Sequence, residues 1–221
     1  MTNALFILFT RAGAEWVMIL LVGLSVISVA VIAERFFFFR RNGRGTTPDL
    51  LALLSAGKLD EAHIRVGGRA GMEAQVARAA LAAADGGPGA VDQAVAGAIA
   101  MARSEYDRGL SFLGTLGNNA PFLGLFGTVI GIIQAFAQLA VGSGKGQAAS
   151  AVMGGISEAL VATAVGIMVA IPAVVAFNGY QRWLKVIVTR SEAIGHALRT
   201  HLERDDVREP ALARARSASA A

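Results

Sequence analysis

Three stretches of the chain lack the charge that a water-facing surface needs. Residues 16–33 carry none and are bracketed by Glu15 and by Glu34 and Arg35, residues 109–144 carry none, and residues 146–181 carry only Glu158. About 20 mostly apolar residues suffice for a helix to cross a bilayer, so each stretch predicts one spanning helix, at 16–34, 109–141 and 148–181. The second and third runs exceed that minimum, and their helices are expected to tilt or to continue beyond the hydrocarbon. Arg11 ahead of an apolar core and the small residues Ser28-Val29-Ala30 have the look of a signal peptide. Glu15 at the start of the core and the length of the run favour a span.

Between and after the spans the pattern turns polar and helical. Residues 42–48 form a break, with Thr47 and Pro48 suited to an N-cap and a first helical position. One helix is expected from Pro48 to Gly57, a second from Lys58 to Val66 and a third from Met72 to Ala84. After the turn Gly86-Gly87-Pro88-Gly89, Val91, Val95, Ile99 and Ala102 recur at helical spacing. That helix is expected to run unbroken into the second span, reaching roughly 75 Å over residues 90–140 at 1.5 Å per residue. The third span is expected to continue as a helical extension over 182–209, leaving 210–221, rich in Ala, Arg and Ser, as a disordered tail. The predicted class is therefore an all-α membrane protein with three transmembrane helices and long helical extensions.

Composition agrees: 54% of the 221 residues are hydrophobic and 16% charged, against about 25% charged in soluble domains. The absence of cysteine excludes disulfides, iron–sulfur clusters and thiol nucleophiles. The net charge of +4 matters less than its placement, because every Lys and Arg except Arg11 and Lys145 falls on one side of the predicted spans. By the positive-inside rule that side is cytoplasmic. The segment 1–15 and the loop 142–147 are then periplasmic, 35–108 is cytoplasmic, and the C-terminus is cytoplasmic. Phe36 to Phe39 beside Arg40 and Arg41 suit a helix leaving the bilayer at the headgroup level. There is no phosphate-binding loop, dinucleotide fingerprint, HExxH motif or nucleophile elbow, and His63, His196 and His201 read as solvated helix residues. Neither an enzyme nor a metal or other cofactor is expected.

Glu158 is the most informative residue. A carboxylate at mid-membrane costs a few kcal/mol, and such residues usually mark ion pathways. It must face a protein interior or a water-filled cavity, carry a proton much of the time, or pair across a subunit boundary. An ion relay needs one such titratable group; the bland alternative is a protonated carboxyl that only ties helices together. Few oxygen ligands neighbour it in sequence, which favours a proton over Na⁺. Small residues surround it: Gly155, Ala159 and Thr163 on one stripe, Ala162, Gly166 and Ala170 on the next, and Gly127 and Gly131 on the second span below Gly114, Gly117 and Gly124. Such faces let helix backbones approach closely in lipid. Three helices cannot enclose a pore alone, so a cyclic homo-oligomer about the membrane normal is expected. Thr128 and Thr163 offer hydroxyls to a water wire or back-bond to their own helices. Asn118 and Asn119 are expected to satisfy groups freed by Pro121 or to shape a cytoplasmic vestibule.

Leu123-Gly124-Leu125-Phe126-Gly127-Thr128-Val129-Ile130-Gly131-Ile132, the stretch Ile156 to Gly166, Ala170-Ile171-Pro172-Ala173-Val174 and Asn178 together resemble the MotA/TolQ/ExbB family of ion-driven inner-membrane motor subunits, nearest its TolQ/ExbB branch. The resemblance implies a pentamer in a Gram-negative inner membrane, enclosing the helices of a single-span ExbD/TolR-like partner that supplies a membrane aspartate. It implies that proton motive force drives a TonB-type, TolA-type or gliding-motility machine. It matches Glu158 to the family's pore carboxylate and Thr128 and Thr163 to its pore-facing threonines. Ser157 and Gly154-Gly155 stand where the branch commonly has Ala and Pro-Gly. Two other readings compete. One is a non-conducting scaffold held together by Glu158; the other is a solute transporter, for which broken helices or inverted repeats would be expected.

Overall fold

The computed structural model describes residues 15–43, 47–141 and 145–219, all of the regular structure being helical. Helix α1 is Glu15–Asn42, α2 Thr47–Ser55, α3 Leu59–Val66, α4 Met72–Ala82, α5 Pro88–Asp107, α6 Leu110–Val141 and α7 Lys145–Ser219, with a single 3₁₀ turn at Ala84–Gly86. Three of them are long and apolar enough to cross a membrane, over Glu15–Asn42, Leu110–Leu139 and within Val152–Arg204. Glu15 in the first turn of α1 and Arg40 and Arg41 in its last match the helix dipole at both ends. Of the expected segments, the N-terminal one up to residue 14 and residues 142–144 of the loop lie outside the described residues, as do 44–46 and 220–221.

One expectation is corrected. The helix from residue 90 does not run into the second span: α5 stops at Asp107, Arg108 turns to φ −57° and ψ 129°, and Gly109 takes φ +77°. Only glycine enters that left-handed region without a Cβ clash, so a single residue ends the helix although the apolar spacing continues through it. Helix α7 extends to Ser219 and so takes in residues 210–219 of the expected tail. The extension expected beyond the third span is present, because α7 continues without interruption through the charged segment.

The helices form two compact units. The apolar one comprises α1 as far as Arg35 together with residues 109–180. Its outward faces carry large side chains such as Ile19, Val26, Phe122 and Val175, the mark of helices that face lipid or neighbouring helices rather than water. The charged unit comprises residues 36–108 and those from Gln181 onward. Its core joins Leu50, Leu54, Val66, Met72 and Val76 to Ile187, Ile194 and Leu198 of α7. Tyr106 sits between Phe38 and Phe39, with ring centroids 5.0 and 5.3 Å away. Its hydroxyl accepts from the Met72 amide at 3.3 Å and donates to the Asn42 carbonyl at 3.4 Å. Burial pushes its pKa above the ordinary 10.0. Ion pairs close the rim, Arg199 with Asp92 at 2.7 Å and Arg65 with Asp49, while the buried Glu73 faces Arg190 at 3.9 Å.

Candidate functional site

α6 and α7 pack antiparallel along a seam where glycines of each helix meet the backbone or side chains of the other. A Cβ placed on Gly124 would lie 2.7 Å from the Ala162 carbonyl oxygen and 2.9 Å from Cα of Thr163, and one on Gly166 would lie 2.7 Å from the Ala120 carbonyl oxygen. Backbone thus rests on backbone, and no side chain fits between. Further along, Gly131 lies against Ala159 and Gly155 against Ala135, while in the other direction Gly117 meets Val174 and Gly114 meets the Phe177 ring. Six steps up one helix therefore match six steps down the other, which sets the register of every residue on α7. From α1, Val17 packs on Gly127, and the Tyr180 hydroxyl donates to the Ile32 carbonyl at 2.7 Å.

This register gives the polar residues different settings. Ala159 is buried on Gly131, whereas Glu158, one residue earlier and about 100° round the helix, is exposed on the surface of the protomer. It shares that open face with Gly154 and Val161, and a Cβ on Gly154 would have no neighbour within 4 Å. Among the described residues the Glu158 carboxylate has neither an ion pair nor a hydrogen bond. Thr128 is buried, and its hydroxyl donates to the Leu125 carbonyl at 2.6 Å. Thr163 has a buried Oγ1 with no hydrogen-bond partner among the described residues. The two threonines thus belong to the seam side of the hairpin, and within one protomer they do not share the exposed face of Glu158.

Asn119 Nδ2 donates to the Thr115 carbonyl at 2.7 Å, two residues before the Gly117 carbonyl that Pro121 leaves without an amide donor, so it does not satisfy that freed group; Asn118 is exposed. Sequence reasoning missed three features: the tie from Tyr180 to α1, the close packing of Ala120 on Gly166, and Arg35. The last is only 5% exposed and pairs with Glu34. Its place directly after an uncharged run signals a helix end, and nothing in that signal distinguishes a buried arginine from an exposed one.

The family model described as the MotA/TolQ/ExbB proton channel family matches residues 69–193. The chain is 42% identical over 104 residues to a biopolymer transport protein ExbB of Neisseria gonorrhoeae, covering 47% of this chain and 46% of that protein. It is 37% identical over 108 residues to the ExbB of Xanthomonas campestris pv. campestris, covering 49% and 42%. It is 41% identical over 107 residues to the Tol-Pal system protein TolQ of Pseudomonas aeruginosa, covering 47% and 46%. The chain thus spans about half the length of the curated relatives it matches.

Proposed function

The chain belongs to the MotA/TolQ/ExbB proton channel family, and from that premise we propose that it is a proton-conducting subunit of an inner-membrane motor, working as a cyclic homo-oligomer around a single-span ExbD/TolR-like partner. The observation that carries this reading is the exposure of Glu158 on an otherwise apolar face of a spanning helix. A carboxyl facing lipid costs a few kcal/mol, so that face belongs against protein or a water-filled lumen. Cyclic assembly covers it and sets one titratable group per subunit around a central axis. There Glu158 takes up a proton, passes apolar surface as the neutral acid and releases the proton on the other side. Each proton crossing 100 mV delivers about 2.3 kcal/mol, so several transfers supply a mechanical step. Thr128 and Thr163 join this route from the seam side of each hairpin and not from the exposed face of Glu158; Gly127, Gly131, Gly155, Ala159 and Gly166 hold α6 against α7 so that the route keeps its shape. The charged unit is cytoplasmic in this reading, and the machine served is of the TonB, Tol-Pal or motility type.

The test is a Glu158→Gln substitution in cells that depend on the chain, with its partner co-expressed. Glutamine keeps the shape and hydrogen bonding but cannot titrate. The proposal predicts an oligomer of normal size that still retains the partner while the powered uptake, envelope or motility function is lost. Retained function would favour the scaffold.

A further inference from the structure

We propose that the charged unit carries a binding site for the headgroup of an anionic phospholipid, in the cleft between the C-terminal half of α5 and the segment of α7 that follows the third span. The cleft has a volume of about 560 Å³, within the range of roughly 300–1,000 Å³ typical of small-molecule sites. Arg103, Arg182 and Lys185 supply its cations, Leu184 and Val188 its apolar floor. Arg182 and Lys185 are exposed and make no ion pair among the described residues. Arg103 pairs with Asp107 at 3.4 Å, but both side chains are open to solvent and such a pair is weak. The acid in the lining, Glu192, stands about 10 Å beyond Lys185 along α7 at 1.5 Å per residue. The end of the cleft nearest the span therefore holds two cations, Arg182 and Lys185, outside any ion pair among the described residues, with Asp107 engaged by Arg103.

Its depth identifies the anion. Arg182 follows the uncharged run 159–181 of α7 and Lys185 lies about one turn on, so in a helix that crosses a bilayer both cations come at the headgroup level. Trp183 beside them packs on Phe39 with centroids 5.4 Å apart, and Phe39 packs on Tyr106. Trp and Tyr gather at the headgroup level of membranes, and basic pockets at that level take anionic lipid headgroups. A phosphodiester over the cations, with glycerol and the first methylenes on Leu184 and Val188, matches both the charged rim and the apolar floor. A free phosphate would leave the floor unused. The inference rests on the third helix crossing a bilayer and not on ion conduction.

The test is native mass spectrometry of the delipidated full chain after addition of dioleoyl phosphatidylglycerol or dioleoyl phosphatidylcholine. Wild type is expected to retain phosphatidylglycerol at least about fivefold over phosphatidylcholine, and an Arg182→Gln/Lys185→Gln variant to lose that preference. Arg182→Lys, which keeps the charge, is expected to retain it, as is Lys58→Gln, which alters an exposed cation outside the cleft. Equal retention of the two lipids, or an unchanged preference in the double variant, would overturn the site. Displacement of phosphatidylglycerol by inorganic phosphate would overturn the lipid assignment in favour of a soluble anion. Release of the chain from membranes by an alkaline wash would remove the span on which the site depends, whatever the lipid counts.

Discussion

At the scale of single residues, Glu158 was legible because a charge in an uncharged stretch stands out, but its exposure was not. Gly154, Ser157, Glu158 and Val161 lie on one face and Gly155, Ala159 and Ala162 on another, and both faces are small and apolar enough to pack. Only the register set by Gly131 against Ala159 decides between them. Thr163 provides a separate check. Its buried hydroxyl has no hydrogen-bond partner among the described residues, so Thr163→Val removes a desolvated group without leaving another unpaired. Thermal unfolding should show stability unchanged or raised by about 1 kcal/mol, while proton flux through the proposed route falls. Tyr106 tests the charged unit. Its pKa is raised by burial, so the folded state holds the phenolic proton more tightly than the unfolded chain does. Its contribution is complete below the ordinary value of 10.0 and is lost as pH rises beyond it. Melting temperatures compared at about pH 9 and about pH 11 should fall more steeply in wild type than in Tyr106→Phe, which in turn should be about 1 kcal/mol less stable at neutral pH for its two lost hydrogen bonds.

At the scale of elements, the spans were readable from charge-free length alone, and the α6–α7 seam from the spacing of its glycines. The interruption at Arg108 and Gly109 was not, because hydrophobic periodicity reports which side chains share a face and is silent about one backbone dihedral. Gly109→Ala places a Cβ at φ +77° and should cost about 1–2 kcal/mol, read as a lowered melting temperature. The seam should be far less forgiving. Gly124→Ile puts its Cβ 2.7 Å from a carbonyl oxygen that cannot move aside without shifting α7. It should cost about 3 kcal/mol or more and reduce the amount of assembled protein. Gly23→Ala, where a Cβ meets nothing within 4 Å, should leave both quantities unchanged. Together the two substitutions separate close approach from a general intolerance of larger side chains in the spans.

At the scale of the whole molecule, the protomer presents large apolar side chains on all three spanning helices and a carboxyl among those of α7. Lipid can cover the first but not, at low cost, the second. That asymmetry is the physical argument for assembly, and no reading of one chain in isolation supplies the copy number. Light scattering in mild detergent should give a single mass several times that of the protomer, unchanged by Glu158→Gln. The central claim, that Glu158 relays protons, is tested most directly by proton uptake into liposomes. The complex with the proposed single-span partner would be reconstituted as wild type and as Glu158→Gln at matched oligomer size, under an imposed potential. Flux in wild type that falls to the background of empty liposomes in the variant is the predicted result, and equal flux in the two would contradict the account.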